Sequence, residues 1–185
     1  GKLGLGTAYI AGFKWALAHH YEYIFEMDAD FSHNPQDLPR LYKACAEEGG
    51  DVAIGSRYVS GVNVVNWPMG RVLMSYFASK YVRFITGIPV HDTTAGFKCY
   101  RRCVLQTIDL DNIRFKGYAF QIEMKFTAYK CGFKIIEVPV IFINRELGTS
   151  KMNGSIFGEA VFGVIKLKLN SWFHKYPQKA GNNKP

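Results

Sequence analysis

The sequence predicts a layered α/β fold with a partly parallel sheet. Two observations carry this. Short apolar runs alternate with stretches of helical spacing, as strand-helix units require. Two of the runs, "YEYIFEMDA" (21–29) and "DVAIGSRY" (51–58), end in polar tips, where α/β sheets place their ligands. Length and composition agree. The 185 residues are 48% hydrophobic and 15% aromatic, which suits one domain, with or without an appendage, around a real core. No segment reaches the ~18 uninterrupted apolar residues of a membrane span. No signal-peptide pattern and no internal repeat is read.

The elements follow in order. Residues 3–19 carry apolar positions at Leu5, Ala8, Tyr9, Phe13, Ala16 and Leu17, which is helical spacing with glycines at the start. Residues 21–29 read as a strand, and 33–50 as a turn and a helix stopped by two glycines. A short apolar strand spans 51–58, a loop 61–68, and a long helix runs from Met69 to about Thr86. Residues 87–102 are turn-rich and then extended. Residues 118–132 read as an amphipathic helix capped by Gly132, and 133–145 as strand interrupted by Pro139. "LGTSKMNGS" (147–155) is a polar loop, 155–176 a last helix, and 177–185 a frayed tail.

Charge is uneven. The formal net charge is +8, and from Arg145 onward seven Lys or Arg face only Glu146 and Glu159. A basic surface attracts phosphate, on nucleotides, nucleic acid or lipid headgroups. The four cysteines, at 45, 99, 103 and 131, have no CxxC spacing and read as free thiols of a reducing compartment.

Chemistry is expected at the strand tips. Asp28 and Asp30 end the first, Ser56 and Arg57 the second. Two like charges so close need an offset. Mg²⁺ or Mn²⁺ provides one, binding one or two carboxylates together with substrate phosphates. Spacing alone leaves two readings open, a metal site or caps for the next helix. A second Asp-X-Asp, Asp109–Asp111, follows no apolar run and reads as a turn or cap. His33, before Asn34-Pro35, reads as a helix-start residue rather than a ligand. In the last helix Phe157, Val161, Phe162, Ile165, Leu169 and Trp172 form a stripe beside Lys166, Lys168 and Lys175. That stripe suits either a packing helix or one lying at a membrane interface.

The motifs "GLGTAYIAGFKWAL", "DADFSHNP", "DVAIGSRY", "DTTAGFKCYRR", "GYAFQIEM" and "EVPVIFINRELGTSKM" occur in this order over nearly all of residues 2–173. Together they closely resemble the dolichol-phosphate (polyprenol-phosphate) mannosyltransferases, family 2 glycosyltransferases of the GT-A fold. The resemblance implies a Rossmann-like, mostly parallel mixed sheet flanked by helices. It implies metal-dependent, inverting transfer of a hexose, typically mannose from GDP-mannose, to a polyprenyl phosphate. UDP-glucose is an alternative donor, and a non-catalytic basic phosphate- or lipid-binding module is the reading from another class. Carried over by position, Asp28 and Asp30 match the metal and donor motif, and Ser32 stands where some members carry a further metal ligand. Arg57, Arg71 and Ser75 match the acceptor-phosphate site, the last two on one helix face. Arg145 and Lys151 match a loop that reaches the donor diphosphate. Lys2 and Asp92 fall near the donor and its sugar, and Gln121 and Glu123 where relatives carry sugar-binding or acidic groups. The chain opens "GKLGLG", after the family's first two strands, so it reads as a GT-A domain (1–154) without its first strands, followed by the 155–176 helix and the tail. Peripheral contact with the cytoplasmic face of a membrane is expected, and nucleic acid is not.

Overall fold

The computed structural model describes residues 4–117, 119–144 and 154–180. Its elements are α1 (Leu5–Ala18), β1 (Tyr23–Glu26), α2 (Leu38–Ala46), β2 (Val52–Ser56), β3 (Val64–Val65), α3 (Met69–Thr86), β4 (Lys98–Arg101), α4 (Arg102–Thr107), α5 (Ala119–Lys130), β5 (Ile135–Pro139), β6 (Phe142–Ile143) and α6 (Gly154–Asn170). Four strands form one sheet in the order β1-β4-β2-β5. β4 runs antiparallel to both β1 and β2, and β5 pairs parallel with β2. Three of the four strands therefore point the same way, and β4 is the reversed one. β3 and β6 make a separate parallel pair. The Asp109–Asp111 segment is a 3-10 turn in which the Asp109 carboxylate accepts from the Asp111 N–H.

Strand alternation sorts the core onto the two sheet faces. Val52, Ile54 and Tyr100 pack with Phe13 of α1, Val104 and Leu105 of α4, and Phe120 and Met124 of α5. Ala53, Phe97, Cys99 and Val138 pack with Leu41, Ala44 and Cys45 of α2. Gly6 lets α1 approach α5, because a Cβ there would stand 2.8 Å from the Phe120 ring and 2.9 Å from the Phe115 carbonyl.

Two expectations are corrected. The 118–132 helix is not amphipathic, because α5 is buried on nearly every side between sheet, α1 and α6. Its polar residues survive burial by finding partners. The C-terminal segment is not frayed over 177–180. The Lys179 ammonium holds both oxygens of buried Asp51, at 2.8 and 2.7 Å, and the Gln178 amide donates to the Lys130 carbonyl.

α6 packs along one face and exposes apolar side chains along another. Val164 and Leu167 pack with Val82, Ile122 and Phe126. Phe162, Ile165, Leu169 and Trp172 face outward. α3 adds Met69, Leu73, Met74, Phe77 and Phe84 to the exposed apolar surface. Among the described residues no helix is long and apolar enough to cross a membrane.

Candidate active site

β1 carries Glu26 into the core and delivers Asp28 and Asp30 just past the strand end, both half-buried. The Asp30 carboxylate accepts from the Ser32 backbone N–H (3.1 Å) and the Ser32 hydroxyl (2.5 Å). The Ser32 hydroxyl is buried, and by donating to Asp30 it orients that carboxylate. Between them Phe31 stands at φ 61°, 90% exposed. A bulky residue in the left-handed region is strained, and such strain clusters at functional sites. The tip is also fastened from β6, where the Ile143 N–H donates to the Ser32 carbonyl.

β2 delivers Arg57 to the same end of the sheet. The guanidinium grips Asp92 in a fork, Nε to Oδ2 at 2.7 Å and Nη2 to Oδ1 at 2.7 Å. The Arg57 backbone N–H donates to Asp92 Oδ2 as well, and Nη2 also donates to the Thr94 hydroxyl. Burial alone would raise the Asp92 carboxyl, but the Arg57 charge and its N–H groups hold it below the ordinary carboxylate value. Asp92 has no exposed surface. Its carboxylate positions the Arg57 guanidinium and backbone.

The aromatic ring of Trp67 brings the two arginines together. Arg71 lies over it at 4.0 Å and Arg57 at 5.4 Å. Arg71 also donates to the Asn144 side chain at 2.8 Å. One helical turn on, the buried Ser75 hydroxyl has no hydrogen-bond partner among the described residues. Trp67 thus brings Arg57 and Arg71 to one ring, and Ser75 lies one turn beyond Arg71 on α3. Lys2, Arg145 and Lys151 lie outside the described residues.

α5 separates two residues that the sequence grouped. Gln121 donates to Glu26 and accepts from Lys98, and a Cβ built on Gly96 would stand 3.7 Å from both Asp28 Oδ2 and Gln121 Nε2. Gln121 therefore backs the Asp28 tip. Glu123, two residues on, sits about 200° around the helix. Its carboxylate accepts from the Arg114 and Phe115 N–H groups at 3.0 and 2.9 Å. It fastens the 114–115 loop, on the side of α5 away from Gln121. Burial pushes its carboxyl up.

Sequence reasoning missed the interior behind the tip. Lys98 and Lys125 are wholly buried, and Glu26 nearly so. Lys98 and Glu26 pair at 3.0 Å across the β1–β4 register. The Lys125 ammonium donates to the Thr93, Ala95 and Gln121 carbonyls at 3.0, 2.6 and 3.2 Å, holding the turn that carries Asp92 and Gly96. Tyr9 of α1 places its hydroxyl 3.5 Å from Asp28 Oδ1, and burial with Glu26 and Asp28 keeps that phenol protonated. His33 is buried between Phe97 and Phe142, with both ring nitrogens unpartnered among the described residues.

Asp28 and Asp30 offer hard oxygen donors at the β1 tip. The described residues hold no cluster of three or more His, Cys, Asp or Glu. Two adjacent carboxylates suit Mg²⁺ or Mn²⁺ when diphosphate oxygens complete its sphere.

The model for glycosyl transferase family 2 matches residues 1–109. The polyprenol monophosphomannose synthase of Mycolicibacterium smegmatis is 52% identical over 89% of this chain and 62% of its own length. The undecaprenyl-phosphate mannosyltransferase of Micrococcus luteus is 50% identical over 91% of this chain and 68% of its own. The chain thus spans about two thirds of the length of these relatives. Among solved structures, the glucosyl-3-phosphoglycerate synthase of Mycobacterium tuberculosis with phosphoglyceric acid superposes with a TM-score of 0.61. Its complex with uridine diphosphate gives 0.53. Each is 16% identical and covers 90% of this chain and 54% of that one, a likeness of fold, here the GT-A fold. With the family model spanning more than half of its residues and both relatives at or above 50% identity, the chain belongs to glycosyl transferase family 2.

Proposed function

We propose that this chain carries the catalytic centre for transfer of mannose from GDP-mannose to a polyprenyl phosphate, with inversion at the sugar. One observation carries the reading. Two carboxylates and two arginines converge at one end of the sheet, Asp28 and Asp30 on one side, Arg57 and Arg71 around Trp67 on the other. Such a pair of poles suits a reaction in which one phosphate attacks and another leaves. The names of the two relatives supply the sugar and the lipid.

The acceptor phosphate is already an anionic nucleophile, so no strong general base is needed. That agrees with Asp92 being consumed by Arg57 and Glu123 being turned away. Arg57, Arg71 and Ser75 bind and aim the acceptor phosphate, and Asp92 fixes the guanidinium plane. Mg²⁺ or Mn²⁺, held by Asp28 and Asp30, would neutralise charge developing on the leaving diphosphate. Arg145 and Lys151, which the family resemblance assigns to that diphosphate, would add cations. The exposed apolar faces of α3 and α6, with Lys80, Arg83 and Lys166 among them, suit the anionic cytoplasmic leaflet where a polyprenyl phosphate resides.

The test is mannose transfer to undecaprenyl or dolichyl phosphate, by the chain and by the chain extended to the length of its relatives. GDP-mannose and UDP-glucose are compared with Mn²⁺, Mg²⁺ or chelator. Metal-dependent mannose transfer abolished by Asp30→Ala is expected. Transfer that ignores chelator or survives Asp30→Ala would sink the reading, and preference for UDP-glucose would correct the donor.

A further inference from the structure

The fork on Arg57 is made by a turn, not by a strand. Asp92 and Thr94 both bond the guanidinium, and both belong to the 91–95 segment ahead of β4. Side chains carried on a loop are aimed only as well as its backbone is fixed.

Two side chains fix this backbone, and they divide its polar groups between them. Lys125 of α5 donates to the carbonyls of Thr93 and Ala95, at 3.0 and 2.6 Å. Glu137 of β5 accepts from the N–H groups, Oε1 from Asp92 at 2.9 Å and Oε2 from His91 at 2.7 Å. The His91 ring lies against the same Oε2, with Nδ1 at 2.8 Å.

A carboxylate is out of place at position 137. Alternation along β5 turns Ile136 and Val138 toward α2, and leaves Ile135 and Glu137 on the opposite face of the sheet. The Glu137 side chain is only 7% exposed. An apolar residue would fill such a position without the cost of desolvating a charge. What the carboxylate adds is two charge-assisted bonds to the backbone that carries Asp92. β5 pairs in parallel with β2, with Ile54 opposite Glu137. The strand that leads into Arg57 and the strand that anchors its turn are therefore neighbours, and one ladder sets both ends of the fork.

We propose that Glu137 is a positioning residue for the acceptor phosphate, fixing the 91–95 turn and, through Asp92 and Thr94, the plane of the Arg57 guanidinium. This rests on the reading of Arg57 as an acceptor-phosphate ligand and deepens it. A guanidinium donates along fixed directions, so its bonds to a phosphate depend on that plane. A lysine ammonium acts as a point charge and does not need it.

The test is calorimetric titration of the chain with farnesyl phosphate, a short polyprenyl phosphate, against farnesol, which lacks the phosphate. Wild type is expected to bind farnesyl phosphate more tightly than farnesol. Glu137→Gln keeps the size of the side chain but turns an NH₂ group toward one of the two N–H donors. It should bind farnesyl phosphate about tenfold more weakly, the order of one charge-assisted hydrogen bond. The sign decides between causes. Removing a negative charge near an anion site would by itself tighten phosphate binding, so weaker binding reports lost aim. Glu137→Asp keeps the charge, shortens the reach and should weaken binding in the same direction, and it carries the test if Glu137→Gln lacks a native circular dichroism spectrum. In an Arg57→Lys background the plane no longer matters, and Glu137→Gln should then change the affinity by less than about twofold. A merely structural role gives the same loss in both backgrounds. Affinity at or above wild type in the Glu137 variants, or an equal loss in the Arg57→Lys background, overturns the proposal and leaves the acceptor reading standing. Wild type that binds farnesyl phosphate no better than farnesol overturns the acceptor reading and the proposal with it.

Discussion

Arg57→Met is the perturbation whose size follows most directly from the structure. The guanidinium makes two 2.7 Å bonds to Asp92 and one of 2.8 Å to Thr94, with side-chain exposures of 7% for Arg57 and none for Asp92. Methionine keeps the stem but loses the guanidinium over the Trp67 and Phe142 rings, and it strands a carboxylate that water cannot reach. Breaking a buried pair from one side costs about 3–5 kcal/mol, a large share of the roughly 5–15 kcal/mol that a domain possesses. Asp92→Asn keeps an acceptor for the Arg57 backbone N–H and should cost less, about 2–3 kcal/mol. A double-mutant cycle should then return a coupling of about 2 kcal/mol or more. Urea unfolding monitored by circular dichroism reads all three differences from the midpoints. The pair also has a pH signature. The folded Asp92 carboxyl lies below its unfolded value, so its contribution is complete above the unfolded value of about 3.9 and is lost as pH falls through the folded one. In Arg57→Met burial raises the stranded carboxyl, so the gap between wild type and variant should narrow as pH falls toward about 4 and narrow further below it. A cost under about 1 kcal/mol, or a gap that ignores acid, would show that the fork is not the interaction holding this end of the sheet.

Three further outcomes are expected. Glu123→Gln keeps one acceptor oxygen for the Arg114 and Phe115 N–H groups, so stability at pH 7 should change by no more than about 1 kcal/mol and nucleotide-sugar affinity should not change. A tenfold affinity loss would return Glu123 to the donor site. Lys179→Ala removes both bonds to buried Asp51 and should cost roughly 1–2 kcal/mol, discounted for the partial exposure of the lysine. It should also open the C-terminal segment to carboxypeptidase, and equal digestion of wild type and variant would refute the pin. Phe77→Asp with Phe84→Asp places charges where two phenylalanines are 61% and 86% exposed. Flotation with anionic vesicles should fall by about tenfold or more, since each buried phenylalanine contributes about 1.5–3 kcal/mol. Unchanged flotation would remove α3 from any membrane face.

What the sequence made legible follows local chemistry. α3 spans Met69–Thr86, the range its sequence predicts, with Pro68 before it and Gly87 ending it at a left-handed φ of 74°. β1 was read as 21–29 but pairs only over Tyr23–Glu26. Pairing length is set by the neighbouring strand, which an alternating pattern does not report. α4 was missed because six residues without a side-chain cap carry too little periodicity, and burial of Val104 and Leu105 stabilises it. The candidate site residues have two sources. Asp28, Asp30 and Arg57 follow apolar runs, whereas Arg71 and Ser75 are assigned by the family resemblance, which their shared helix face accommodates.

Partners were not legible, because partnership is long-range. Asp92 meets Arg57 across 35 residues and Gln121 meets Glu26 across 95. A family resemblance carries positions from chain to chain but not the direction in which a side chain points. Gln121 and Glu123 show the difference. Both fall in one matching motif, yet the 100° step per residue sends one toward Asp28 and the other to a loop on the opposite side. Lys98 and Lys125 show the converse. In the sequence they are unremarkable cations of a basic chain, and only the fold reveals that both are buried behind the carboxylates. A buried charge must be answered by neighbours, and those neighbours are the groups that shape the tip.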